Sequence, residues 1–254
     1  MSDTTKVAFI TGGGGGIGSA AGARLAHDGL NVALVDLNAE AAEAAAAQIQ
    51  AETPNAKVMG VACDVADADS VNGAVELVNK ELGPIGVAVN NAGVTRDNML
   101  YKMSEDDWDT VMRVHLRGAF LVSKAAQASM VSQGWGRLIN ISSINALGMK
   151  GQANYATAKM GLQAFTRTLA MELGAKGITV NCIAPGYIRT PMTEAVAERL
   201  GLDPEKFFGD LAKKTPLGRV GMPEDIANAV AMVVSPDAGF MTGETLYVDG
   251  GFRL

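Results

Sequence analysis

Seven short runs rich in β-branched and apolar residues punctuate the chain, spaced so that most gaps hold a helix: Val7–Ile10, Val32–Val35, Val58–Cys63, Val87–Val89, Leu138–Ile141, Thr179–Ile183 and Thr245–Val248. The segments between them carry helical spacing and much alanine, and Ala39–Glu52 is almost wholly Ala, Glu and Gln. Consecutive strands joined through helices run parallel, and their right-handed crossovers place helices on both faces of one sheet. The alternation therefore predicts an α/β fold, a single doubly wound domain on a mainly parallel seven-stranded sheet. Ligands are expected at the carboxyl ends of its strands. No linker or composition break divides residues 1–254, and the stretch at about 190–215 reads as a short substrate-covering excursion.

Directly after the first run comes Thr11-Gly12-Gly13-Gly14-Gly15-Gly16-Ile17-Gly18, then a helical segment Ser19–His27. A glycine loop opening a helix turns backbone N–H groups and the positive end of the helix dipole toward a pyrophosphate, with no Cβ in the way. That context makes the fold Rossmann-type. Five consecutive glycines fit both a Gly13/Gly15/Gly18 and a Gly12/Gly16/Gly18 frame, and no Lys-Ser or Lys-Thr follows to make a mononucleotide P-loop. Asp36 ends the second run, where a carboxylate accepts hydrogen bonds from both ribose hydroxyls and repels a 2′-phosphate. NAD is the expected cofactor, ahead of NADP.

The chain has 21 Lys and Arg against 27 Asp and Glu, a formal net charge of −6, and no basic cluster, which argues against a nucleic-acid partner. Met1–Lys6 shows no export-signal pattern and no run of about 18 apolar residues occurs, so no membrane anchor is expected. Cys63 and Cys182 both lie in apolar runs, as buried reduced thiols rather than metal ligands. No metal site is expected, and a cytoplasmic location fits.

Tyr155 and Lys159 stand one helical turn apart in Asn154-Tyr155-Ala156-Thr157-Ala158-Lys159. An ammonium beside a phenol, with an oxidised nicotinamide nearby, is expected to lower the phenol pKa and allow proton transfer near neutral pH. Ser143 follows the fifth run, where its hydroxyl is placed to hydrogen-bond a substrate carbonyl or alkoxide.

Thr11-Gly12-x-x-x-Gly16-Ile17-Gly18, Asn90-Asn91-Ala92-Gly93, Ser143, Tyr155-x-x-x-Lys159 and Pro185-Gly186, in this order, resemble the short-chain dehydrogenase/reductase family over nearly the whole chain. The resemblance implies the frame Gly12, Gly16 and Gly18. It implies Ser143 positioning the carbonyl, Tyr155 as acid or base, and Lys159 holding the nicotinamide ribose while tuning Tyr155. It further implies that Asp64 contacts adenine and Asn90 lies beside the adenine-side ribose. Ile17, Val65, Asn91 and Gly93 would add cofactor contacts, and Pro185, Gly186, Ile188 and Thr190 would seat the nicotinamide amide. One position departs from the pattern: His115 stands where the family usually has an asparagine that holds a water against the lysine. It reads either as a packed helix residue or as a substitute support for that water.

Within the family the chain looks most like β-ketoacyl-thioester reductases, through Gly134-Trp135-Gly136-Arg137, Gly151-Gln152-Ala153-Asn154-Tyr155 and Lys176-Gly177-Ile178-Thr179-Val180-Asn181. Reductases acting on acyl-carrier protein commonly present basic residues where this chain has Gly134 and Met171. A coenzyme A ester or free ketone is therefore the expected substrate. The expected activity is hydride transfer between NAD(H) and a secondary alcohol or ketone, including a 3-hydroxyacyl/3-oxoacyl thioester. The alternatives are an NADPH-dependent 3-oxoacyl-ACP reductase and a catalytically weak NAD-binding scaffold. Met99, Met103, Met149 and Met192 read as lining an adaptable apolar pocket or as ordinary packing. The helix Gly161–Leu173 and the segment 247–252 resemble parts through which family members form homotetramers.

Overall fold

The computed structural model describes residues 6–199 and 201–254. The opening residues 1–5, and with them most of the segment read as lacking an export signal, lie outside the described residues. So does residue 200 of the covering segment.

Seven strands form one sheet in the order β3-β2-β1-β4-β5-β6-β7: β1 Val7–Thr11, β2 Asn31–Asp36, β3 Val58–Ala62, β4 Ile85–Asn90, β5 Gly136–Ile141, β6 Ile178–Pro185 and β7 Thr245–Val248. Every neighbouring pair is parallel, so the sheet is wholly parallel rather than mainly so. The physical reason is that a helix stands in every connection and no hairpin occurs. Both faces are covered, which explains why the strands read as unbroken apolar runs.

The two-residue period of the strands divides the core. Ala8, Ile10, Val32 and Leu34 face one layer with Leu25 of α1 (Gly16–His27), Ile49 of α2 (Ala39–Glu52) and Ile226 and Val230 of α9 (Pro223–Val234). Val7, Phe9, Ala33 and Val35 face the other, with Val71 and Val75 of α3 (Ala68–Glu81), Val122 and Met130 of α5 (Gly118–Gln133) and Leu173 of α6 (Ala153–Leu173). Burying each Leu, Ile, Val or Phe stabilises by roughly 1.5–3 kcal/mol, so this two-layered core dominates the stability.

The order in which strands are added reverses between β1 and β4, and a crevice opens at their carboxyl ends. Asn91 bridges it: its N–H donates to Thr11 Oγ1 at 3.0 Å, and its Nδ2 donates to the carbonyls of Thr11 at 3.0 Å and Gly12 at 3.1 Å. A second polar string stiffens the sheet below. Asn90 Nδ2 donates to Ser123 Oγ and Asn140 Oδ1, and Asn140 Nδ2 donates to Thr166 Oγ1, linking β4, β5, α5 and α6.

Most strand ends shift by one or two residues from the sequence reading, and two helix boundaries differ from it. Helix α1 starts at Gly16 rather than Ser19, so the last glycines are helical, and α6 runs unbroken from Ala153, carrying Tyr155 and Lys159 on the same helix as the apolar stretch from Gly161. The covering segment folds as α7 (Pro191–Arg199) and α8 (Pro204–Lys214). Between α4 (Glu105–Met112) and α5, residues Arg113–Arg117 form a π-helical turn that places His115 in the interior.

Candidate active site

A cleft of about 410 Å³ opens at the carboxyl ends of β1, β4, β5 and β6. One end is built from backbone. Gly12 and Gly16 adopt φ of +63° and +55°, a left-handed conformation that favours glycine. A Cβ on Gly12 would stand 2.9 Å from Asn91 Nδ2. Gly18 is excluded from the lining; a Cβ there would stand 2.1 Å from the Gly12 carbonyl oxygen, so its task is close packing of loop on helix. Nothing lies within 4 Å of a Cβ on Gly15, whereas each position of the Gly12/Gly16/Gly18 frame carries a conformational or a packing demand for glycine. The N-cap residue of α1 is Gly15, and no side chain caps the helix, whereas α2 and α3 are capped by the Asn38 and Asp67 side chains. The first N–H groups of α1 are thus left for a ligand.

Asp36 borders this end. Its Oδ2 accepts the Gly14 N–H and its Oδ1 the Asn38 N–H, both at 3.0 Å, which fixes the carboxylate beside the loop. Lys159, at the opposite end, is the one lysine or arginine among the described residues lining the cleft.

The other end is built from buried side chains. Ser143 ends the turn after β5, and its Oγ accepts the Asn145 N–H at 3.1 Å. Lys159 is buried, and its Nζ donates to the Ile141 carbonyl at 2.7 Å. Burial brings its pKa down to about 8, partly offset by Cys182. Tyr155 keeps part of its surface open, yet burial pushes its phenol up to about 12. The neighbouring Ser143 hydroxyl pulls it down and the Asp97 charge pushes it further up. In the chain alone the Lys159 ammonium is tied to Ile141, 5.5 Å from the Tyr155 ring centre, and desolvation prevails; the expected lowering is for the pair beside an oxidised nicotinamide.

His115 faces Tyr155 edge-on, with ring centres 5.4 Å apart. Its Nε2 lies 2.9 Å from the Val94 carbonyl oxygen and 3.1 Å from the Val94 nitrogen, while Nδ1 is buried without a partner. Burial and the Lys159 charge lower its pKa to about 3, so the imidazole is neutral. Gly93 makes room for it, since a Cβ there would stand 2.5 Å from His115 Cε1.

Gly12, Gly16, Ile17, Asp36, Asn91, Gly93, His115, Ser143, Tyr155, Lys159, Pro185, Gly186, Ile188 and Thr190 all line the cleft. Asp64, Val65 and Asn90 do not. Asp64 Oδ1 accepts the Ala66 N–H at 2.8 Å in the turn that leads into α3. Val65 packs against Gly118, and the Asn90 amide is held in the inter-strand string described above. Pro191 and Thr193 line the cleft and were not singled out from sequence. Their signal was Thr190-Pro191, a hydroxyl and a proline at a helix start. Of the four methionines, Met192 alone borders the cleft, whereas Met103 borders a separate surface hollow and Met99 and Met149 are partly exposed. Among the described residues, no group of three or more His, Cys, Asp and Glu side chains gathers as a metal site. None of their helices is long and apolar enough to cross a membrane.

A family model described as enoyl-(acyl carrier protein) reductase matches residues 13–253. The short-chain reductase protein NovJ of Streptomyces niveus is 47% identical over 246 residues, 97% of this chain and 93% of NovJ. A (2S)-[(R)-hydroxy(phenyl)methyl]succinyl-CoA dehydrogenase subunit, BbsD of Thauera aromatica, is 40% identical over 100% of this chain and 99% of its own. The 3-oxoacyl-[acyl-carrier-protein] reductase FabG of Vibrio cholerae is 40% identical, covering 98% of each. Among solved structures, levodione reductase superimposes with a TM-score of 0.93 at 35% identity, covering 97% of this chain and 96% of that one. A blue fluorescent protein from a metagenomic library, in complex with NADPH, gives 0.87 at 40% identity, covering 98% of each. The chain belongs to the short-chain dehydrogenase/reductase family. It is an oxidoreductase that works with a nicotinamide cofactor.

Proposed function

We propose that the protein is an NAD-dependent dehydrogenase or ketoreductase acting on a secondary alcohol or ketone, with 3-hydroxyacyl and 3-oxoacyl thioesters within its range. The observation that carries this reading is the convergence of Ser143, Tyr155 and Lys159 at one end of a cleft whose other end is a side-chain-free glycine loop.

The residues present fit a dinucleotide: the loop and the uncapped α1 N-terminus suit a pyrophosphate, and Asp36 suits a ribose diol. When bound, the nicotinamide supplies the hydride for reduction and takes it in oxidation. Tyr155, with a pKa near 12 in the chain alone, holds its proton at neutral pH and gives it to the carbonyl oxygen during reduction. Ser143 donates a second hydrogen bond to that oxygen. Lys159 has three N–H donors, one spent on Ile141, and the other two remain for the nicotinamide ribose. His115 Nδ1, buried without a partner, is free to hydrogen-bond a water of the kind that the family's asparagine usually helps to hold.

NAD rather than NADP follows from Asp36, because a 2′-phosphate there would meet a fixed carboxylate with no cation beside it in the cleft. The NADPH complex of the metagenomic relative favours a second reading, an NADPH-dependent 3-oxoacyl-ACP reductase. Against the acidic carrier stands exposed Met171, where a basic residue would help docking. We further propose a homotetramer, supported by exposed Phe120 and Val131 on α5 and Met160 and Met171 on α6. Two buried free thiols fit a reducing, cytoplasmic setting.

The deciding experiment measures turnover of secondary alcohols and β-keto thioesters with NAD(H) and NADP(H). A wild-type preference for NADPH would refute the reading of Asp36. Full turnover in Tyr155→Phe would refute the acid/base role, and no turnover by the wild type with any of these substrates would return the scaffold reading.

A further inference from the structure

Helix α7 carries the cleft-lining residues Pro191, Met192 and Thr193 at its start, yet only Ala197 along it is buried in the body. Charged groups hold it instead. Just before α7, Arg189 pairs through Nε with Glu194 at 3.0 Å and through its terminal nitrogens with Glu205 on α8, while its guanidinium lies 5.1 Å from the Phe208 ring centre. This binds α7 to α8 as one lid.

The far end of α7 reaches the opposite wall, where Arg199 donates to Asp97 Oδ2 at 3.2 Å across 102 positions of sequence. Asp97 lies in the loop after β4, and the same Oδ2 accepts Gln152 Nε2 at 3.0 Å. Gln152 stands at the start of the helix that carries Tyr155, and its Oε1 accepts Asn145 Nδ2 at 2.9 Å. The Asn145 N–H in turn donates to Ser143 Oγ. A continuous hydrogen-bonded strap thus runs from the lid to Ser143. Asp97 Oδ1 is buried with no partner, so nearby cations bear much of the task of balancing that carboxylate.

We propose that Arg199 and Asp97 form the latch of an α7–α8 lid, and that Asp97 is a positioning residue that links closure of the lid to the proton chemistry of Tyr155. This rests on the acid/base reading of Tyr155 given above. Around Tyr155 stand Lys159 on the same helix, neutral His115 from the π-turn, Ser143 after β5 and Asp97 from the β4 loop, with Arg199 outermost and Cys182 of β6 beside Lys159. Asp97 holds the Tyr155 proton on, and Arg199 weakens that hold when the lid is closed.

The two partners therefore act on Tyr155 with opposite sign, which a merely mechanical latch would not do. The test is the pH profile of kcat for NAD-dependent alcohol oxidation by the full-length enzyme, where the rate rises as Tyr155 loses its proton. Asp97→Asn should move the ascending limb to lower pH, and Arg199→Met to higher pH, each by on the order of half a unit for a partly exposed pair. Arg199→Lys should leave it in place. Both charge-removing variants should raise KM about two- to fivefold, the range expected of such a pair, with NADH affinity unchanged. Limbs that coincide, or that move in the same direction, overturn the proposal. Tyr155→Phe separates the two failures: if it is inactive while the limbs coincide, the latch alone is wrong. If it turns over normally, the Tyr155 reading falls and the electrostatic half of the latch falls with it.

Discussion

The two ends of the cleft solve recognition by opposite means. The phosphate end works by subtraction, with glycines whose absent side chains leave N–H groups bare and one carboxylate pinned by the N–H groups of Gly14 and Asn38. The reacting end works by enclosure: Lys159, Tyr155 and His115 are titratable groups whose pKa values burial displaces to about 8, 12 and 3. The first end tolerates water and depends on backbone shape. The second depends on excluding water, because the displaced pKa values vanish if the groups become solvated.

That contrast can be broken from either side. The largest effect belongs to the enclosed end, where Tyr155→Phe should lower kcat by about 10²- to 10⁴-fold with NADH binding retained, read by steady-state rates and fluorescence titration. Next, Gly18→Ala forces a methyl into the Gly12 carbonyl and should destabilise by roughly 1–3 kcal/mol in chemical denaturation while weakening dinucleotide binding. Unchanged binding there would show that the loop's shape matters less than its flexibility.

A slightly smaller effect tests enclosure through pH. His115 has a folded pKa of about 3, below the 6.5 of the unfolded chain, so between these values the unfolded state binds the extra proton. Stability must then fall as pH drops below 6.5, by on the order of 2 kcal/mol at pH 5, and His115→Asn should flatten that slope. A slope that survives the substitution assigns the loss to other groups. Smallest, Asp36→Ala should reduce the preference for NAD over NADP by about tenfold, the scale of one charged hydrogen-bonding group.

The sequence disclosed these two ends unequally. Strand–helix alternation and the glycine run announce themselves because backbone demands act on local residue types, and the sheet followed with only its boundaries shifted, as with α1 beginning at Gly16. Family motifs located Asp64 and Asn90 along the chain, while only the structure shows that both lie outside the cleft lining, the first engaged in a local turn and the second in a string of amide and hydroxyl groups. The rise of the Tyr155 pKa in the chain alone was not legible, because a Tyr-Lys spacing conveys proximity and says nothing of burial. Arg199 and Asp97, far apart in sequence and ordinary in type, offered no signal at all.

The π-helical turn at Arg113–Arg117 has a consequence for how this protein tolerates changes in length. Such a turn holds one residue more than an α-helical turn would, a piece of slack wound into the rod that joins α4 to α5. Deleting a single residue from a regular helix would rotate everything on one side of the cut by about 100° about the axis, whereas the slack here absorbs such a change and leaves α4 and α5 on their faces. What a deletion within the turn would remove is the bulge that carries His115 into the hollow beside Gly93, while α4 keeps its seat against α6. The slack therefore acts as an indexing device: the same five residues that loosen the helix bring His115 to the cleft.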